Sequence, residues 1–161
     1  MITAASLTNL DGAATKSLTV GTAGSVSAGG VTLEELGVSY ETERQPIRKH
    51  QSSGEWENYA YVRNLVLTLR GKIVGTTASD YIDKRQALVA AFLPDEGTQA
   101  DRNHTTLALT FSDSSTASDD CIFESFSAPF SVADSDRAAE YTLVLVNVTG
   151  FFHSGGAVNK I

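Results

Sequence analysis

The sequence predicts a mainly β domain, a β-sandwich or split barrel with one flanking α-helix. Three observations lead there. Residues 58–74, "NYAYVRNLVLTLRGKIV", place apolar side chains at every second position, the period of a half-buried strand. Residues 77–94, "TASDYIDKRQALVAAFLP", repeat their apolar positions at helical spacing instead. The remaining apolar runs are short and separated by clusters of Gly, Ser, Thr and Asp, as in a chain of strands and turns. A chain of 161 residues with 42% hydrophobic content has the size of one domain, taken as residues 1–161 with a tail, 150–161, that hangs off the body or docks on a neighbour.

From the N-terminus, "SLTNL" and "KSLTV" read as brief strands, and "GTAGSVSAGG" as a loop whose glycines lack the Gly-Lys-Ser/Thr ending of a phosphate-binding loop. A longer strand is expected from Val31 through "TLEELGVSYETE", with Leu33, Val38 and Tyr40 as apolar positions and a bulge at Gly37. Residues 45–57, "QPIRKHQSSGEWE", contain Pro46 and Gly54 among polar side chains and read as a long hairpin loop. The strand after it places Tyr59, Tyr61, Leu65, Leu67, Leu69 and Ile73 on one face.

Thr77 is a suitable N-cap for the helix, with Asp80 three residues on to favour the positive end of the dipole. Ile82, Leu88, Val89, Phe92 and Leu93 form the expected stripe against the sheet, and Pro94 ends the helix. The chain then returns to strands at "TTLALTF", "CIFESFS" and "EYTLVLVNVTGFF", with "SDSSTASDD" and "VADSDRA" as polar turns. In the last strand Leu143, Leu145, Val144, Val146 and Val148 make both faces apolar, so cover is expected on both.

Charge and chemistry narrow the function. With 19 acidic and 12 basic residues the net charge is −7, which repels a phosphate backbone. The start, "MITAASLTNLDG", has no basic region leading into an apolar core, so the expectation is synthesis in a cytoplasm, without membrane insertion. Cys121 stands alone in an apolar setting and reads as a small buried hydrophobe. His50, His104 and His153 lie far apart at loops and chain ends, so no metal or other cofactor is expected. The neighbouring carboxylates Glu34 and Glu35, or Asp119 and Asp120, point to opposite strand faces and do not address one bond, and no "GxSxG" elbow is present. Ile47, Arg48, Lys49 and Trp56 share the long loop, and that mixture of apolar and cationic groups reads as a protein contact.

The order of elements over roughly residues 58–150, a long strand ending "LRGKIVG", a capped link, the helix "SDYIDKRQALVAAFLP" and then "TLALTF", resembles the core of phage distal tail proteins. These are ring-forming components at the tip of long-tailed, siphovirus-type phages, and the wider group includes tail-tube proteins. The positions that carry the resemblance are Gly71, Gly75, Tyr81, Arg85, Leu88, Ala90 and Pro94, a pattern of packing and not of catalysis. The resemblance implies a non-enzymatic virion protein of the baseplate hub, whose hexameric ring connects the tail tube to the tail tip. Its implied partners are its own copies, the tail-tube protein, the tape-measure protein and the tip or hub proteins, with DNA passing through the channel unbound. Larger distal proteins append a carbohydrate-binding or other accessory domain, and none is expected within these 161 residues. Two alternatives stand beside this reading: a tail-tube subunit that stacks in many rings, and a small carbohydrate-binding or hydrolase-like domain, which would need a pocket of clustered polar groups.

Overall fold

The computed structural model describes residues 1–9, 14–21, 29–48, 55–93, 104–129, 137–147, 152–154 and 157–159, with side chains described for 1–9, 14–21, 29–41, 65–93, 104–129 and 137–147. Its elements in chain order are β1 (Ile2–Asn9), β2 (Thr15–Val20), β3 (Gly30–Leu33), β4 (Glu35–Arg48), β5 (Glu55–Val74), α1 (Ala78–Ala90), β6 (His104–Phe111), β7 (Thr116–Ser127), β8 (Ala138–Asn147), β9 (Phe152–Ser154) and β10 (Ala157–Asn159).

The pairings close on themselves. β1 pairs β2, β2 pairs β3 in parallel, β3 pairs β5, β5 pairs β8, β8 pairs β7, β7 pairs β6, and β6 returns to β1. The result is a closed seven-stranded barrel with one helix, so the sandwich form expected from sequence gives way to a barrel. The interior follows from strand periodicity, because register partners share a face. Leu67 faces in with Leu145, Leu69 with Leu143, and Leu7 with Leu107, all fully buried. The opposite face of β8 is half-buried at Thr142, Val144 and Val146, so the cover expected on both faces of that strand is complete on one and partial on the other.

Closure depends on an irregularity that the sequence did not indicate. β3 and β4 both lie along the same edge of β5, Val31 opposite Ile73 and Glu35 opposite Arg70. Three residues, Thr32 to Glu34, therefore face two, Gly71 and Lys72, which is the count of a β-bulge. The bulge lies here and not at Gly37, which sits in unbroken register opposite Thr68. At the bulge the Thr32 side chain takes the place of backbone, its Oγ1 accepting the Lys72 N–H at 2.8 Å. The Thr32 carbonyl in turn accepts a hydrogen bond from the buried Tyr141 hydroxyl at 2.7 Å. Gly71 permits this approach, because a Cβ there would overlap the Thr32 carbonyl and touch the Tyr141 ring. Past the bulge it is β3, and not β4, that pairs with β2 on its other edge.

Three further expectations change. Residues 45–48 and 55–57, read as loop, are strand: β4 runs to Arg48 and β5 starts at Glu55, with Arg48 opposite Glu55 and Ile47 opposite Trp56, while residues 49–54 lie outside the described residues. Pro46 fits there because β4 pairs only β5 among the described strands, and an edge strand tolerates a missing N–H. "SDSSTASDD" is a turn only at its start, since Thr116–Asp120 already belong to β7. The C-terminal segment does not simply hang free, as His153 of β9 pairs with Ser118 of β7 and β10 pairs with β9. "GTAGSVSAGG" and "VADSDRA" fall largely outside the described residues.

The closure makes a prediction. Tyr141→Phe keeps the ring and removes the donor to the buried Thr32 carbonyl, which should lower stability by about 1–3 kcal/mol in urea unfolding. Gly71→Ala should cost more than Tyr141→Phe, because it displaces that carbonyl outright; an unchanged midpoint in both variants would contradict this account of closure.

Candidate functional site

Two features stand out from the barrel: the end covered by α1 and the hairpin that projects from the other end of β5. β5 leaves the barrel at Val74, α1 follows, and β6 re-enters at His104, so the helix lies across the end where those strands stop and start. Thr77 caps it as expected, its Oγ1 accepting the Asp80 N–H at 3.1 Å. The Asp80 carboxylate accepts from the Thr76 N–H at 2.7 Å and the Thr76 hydroxyl at 3.0 Å, and it pairs with Lys84 one turn on. Those donors, Lys84 first, hold the Asp80 carboxyl down at about 2.

Of the five residues in the expected stripe, three face inward and two do not. Leu88 and Phe92 are fully buried and Val89 is half-buried, whereas Ile82 is 44% and Leu93 36% exposed. Tyr81, at 2% exposure, occupies the place expected for Ile82. Phe92 stacks on Phe123 with centroids 5.1 Å apart and meets Phe126 at 5.2 Å, while the Arg85 guanidinium lies 5.8 Å above the Phe126 ring. A register shift between Phe123 and Ser125 makes both rings available: Phe123 opposes Leu145 and Phe126 opposes Leu143, so the extra residue Glu124 keeps two phenylalanines three positions apart on the core face. At the helix end the Thr105 hydroxyl lies 2.8 Å from the Ala91 carbonyl and 3.1 Å from the Thr8 carbonyl, linking α1, β6 and β1.

The hairpin extends the other way. β5 pairs with β8 only from Leu65 onward, and its residues before Leu65 pair with β4 alone among the described strands. From the Glu41 and Asn64 pair to the Arg48 and Glu55 pair the ribbon advances seven positions on β4, about 24 Å at the usual rise. Of the contact candidates, Ile47, Arg48 and Trp56 therefore stand on the paired strands near its tip, and Lys49 lies outside the described residues. Register shifts after Glu41 and after Arg44 add twist to the ribbon.

No family model matches the chain, and no curated protein matches it either. Among the solved structures similar to this chain are two assemblies. One is the tail of an empty GTA particle, computed with helical refinement in C6 symmetry, at 16% identity and a TM-score of 0.41, covering 98% of this chain and 95% of that one. The other is the sheath-tube complex of an extracellular contractile injection system, PVC, in its extended state, at 13% identity and a TM-score of 0.35, covering 94% and 89%. Scores this low leave the functional reading to the chain's own geometry.

Among the described residues that geometry contains little that resembles reactive chemistry. A shallow cleft of about 190 Å³ is lined by Glu34, Glu35, Arg70 and Glu140 among others, and its charges are tied up in exposed pairs, Arg70 with Glu35 at 3.4 Å and Lys72 with Glu140 at 3.5 Å. Asp119 and Asp120 are split between faces, Asp120 accepting from the Thr106 hydroxyl at 2.6 Å. Cys121 is fully buried, and burial with the nearby Asp119 and Asp120 pushes its thiol up to about 12, far from a thiolate at neutral pH. His104 begins β6, His153 lies in β9, and His50 is outside the described residues, among which no group of His, Cys, Asp or Glu is arranged to hold a metal. No described helix is long and apolar enough to cross a membrane.

Two measurements test the covered end. Leu88→Ala should cost about 2–5 kcal/mol and Phe92→Ala about 3–5, whereas Ile82→Ala should stay within about 0.5 kcal/mol; equal losses at Leu88 and Ile82 would contradict the orientation described. The Asp80 carboxyl is lowered on folding, so its contribution is complete above its unfolded value near 4 and is lost as pH falls toward about 2. Acid titration followed by helix signal should show that loss in the native protein and not in Asp80→Asn.

Proposed function

We propose that this chain is a structural, ring-forming subunit of a phage-like tail, and that its work is assembly and not catalysis. The observation that carries the reading is the β4–β5 ribbon with the outer edge of β4 along its length. A strand of 14 residues with no partner on that side, among the described strands, leaves a row of backbone donors and acceptors that another chain can complete. The exposed residues Glu35, Ser39, Tyr40 and Glu41 lie on the part of that edge nearest the barrel. The resemblance of residues 58–150 to distal tail proteins supports the same reading.

Copies join side by side through β4, and six of them close a ring around a channel. A heterologous contact of this kind either closes or grows without limit, and closure gives a defined particle component. The ribbon tip, with Ile47, Arg48, Lys49 and Trp56, makes the contact with the next tail component, where its basic residues meet an acidic neighbour. A net charge of −7 keeps the channel from holding DNA, which slides past it. We place the ring at the distal end of the tail, between the tube and the tip. A tail-tube subunit is the second reading, since an unlimited stack of rings uses the same two surfaces.

The two surfaces are separable by experiment. Replacing residues 46–56 with a short Gly-Ser turn should leave the barrel and any single ring intact and abolish joining to the next component. Light scattering and electron micrographs of the purified protein read the outcome, alongside particle assembly in a complementation assay. Single rings support the distal position and long tubes the tail-tube position. A protein that stays monomeric alone and beside every tail component overturns both, and infectious particles with normal tails from the shortened protein overturn the role of the tip.

A further inference from the structure

The ten-stranded sheet of this chain has two ends, β4 and β10. Among the described strands β4 pairs with β5 alone and β10 with β9 alone, while every other strand is paired along both edges over some part of its length. Two open ends on one sheet are two places where another chain can add a strand.

The edge of β4 is limited and furnished by its own residues. Pro46 has no N–H to give, so the stretch that can take a partner lies before it, from Glu35 onward. Leu36, Val38 and Tyr40 stand opposite the fully buried Leu69, Leu67 and Leu65, yet Leu36 and Val38 are only half-buried and Tyr40 is 40% exposed. The apolar face of the sheet thus runs out to this edge without being closed. Where the edge begins, a notch of about 170 Å³ is lined by Met1, Ile2, Val20, Leu33 and Leu36 among others. Residues 35–43 also carry Glu35, Glu41 and Glu43 and no basic side chain.

The other end of the sheet is a small hairpin held to the barrel by one described bridge, His153 with Ser118. Two residues separate β9 from β10, and the register is Ser154 with Ala157, His153 with Val158 and Phe152 with Asn159. In a hairpin with a two-residue connection the closing pair exchanges both hydrogen bonds and the next pair exchanges none, so the N–H and C=O of Val158 point away from β9. Residues 142–161 contain no acidic side chain and carry His153 and Lys160.

We propose that β10 of one copy completes the outer edge of β4 in the next, before Pro46, so that each copy gives one end of its sheet and receives the other. This rests on the ring-forming reading above and names the strand that fills the edge. The backbone of Val158 supplies ladder bonds, the ledge of Leu36, Val38 and Tyr40 gains cover, and the glutamates of β4 meet a segment without acidic side chains. Two β4 edges placed against each other would instead set glutamates beside glutamates. Because the joined surfaces differ, the contact is head-to-tail and leaves no free end once a ring closes.

Cross-linking between chains tests the join. A tagged Val158→Cys protein is mixed with Gly37→Cys, Val38→Cys or Ser39→Cys and oxidised; the native Cys121 is fully buried, with its thiol pushed up to about 12, and does not compete. At least one mixture should give a cross-linked pair. Val158→Pro, which removes the outward N–H and spares the pairs with β9, should weaken assembly about tenfold by light scattering. If native protein forms rings and no β4 cysteine captures Val158→Cys, the proposal is overturned and the ring reading stands. Rings that form as readily from Val158→Pro have the same meaning. Val158→Cys that closes only onto Val62→Cys of its own chain also overturns it, because the hairpin then completes β5 of its own ribbon. A native protein that stays monomeric alone and beside every tail component ends both readings together.

Discussion

The approach of the Tyr141 hydroxyl to the Thr32 carbonyl over Gly71 is the constraint on which the rest of this structure depends. It joins residues 109 positions apart and fixes the bulge at which β3 departs from β4. β3 lies between β5 and β2 and is the strand through which the sheet closes, and without it the sheet would stay open. The barrel would then have no end for α1 to cover, and Val31 and Leu33, 2% and 3% exposed, would lose the cover that buries them. Burial, with the nearby Glu34 carboxylate, raises the pKa of the Tyr141 phenol, which keeps it a neutral donor at neutral pH.

The hairpin of β4 and β5 is divided at Leu65: from there to Val74 β5 is a stave of the barrel paired with β8, and before it β5 pairs with β4 alone among the described strands. One strand thereby provides both core and projecting surface. This arrangement explains why the longest strand of the chain is also the one with the clearest alternation: Leu65, Leu67, Leu69 and Ile73 line the barrel along its second half.

Alternation, capping and apolar spacing carried most of the fold in the sequence. Thr77, Asp80 and the spacing of Leu88 and Phe92 set the existence and limits of the helix, and the period-two runs set most strands. What they did not carry was phase. Tyr81 and Ile82 are adjacent and both apolar, so the stripe reads equally well with either one inside. The choice is made by partners distant in sequence, Phe123 and Phe126, which share the core face only because Glu124 is extra. The hairpin was misread for a related reason. Pro46 and the polar residues around it suggest a loop by composition, and an edge strand has almost the same composition, since half its backbone and one face are open to water. The closure at Thr32 had no local signal, because a threonine that replaces a ladder bond looks like any other strand threonine.

Lys16 shows how far charge alone can be read. In "TKSLTV" it takes a position that strand periodicity assigns to the same face as Leu18, an arrangement that usually argues against a core strand. The pairing of Lys16 with the buried Leu7 confirms that face, and burial together with the charge of Lys84 lowers its pKa. The ion pair of Asp80 and Lys84 would be an ordinary surface pair of one helical turn, worth little by itself. The helix thus meets the barrel in two ways, by aromatic packing at its C-terminal end and, at its N-terminal end, by the Asp80 and Lys84 pair beside Gly29 at the start of β3, whose ladders to β2 and β5 are each two pairs long.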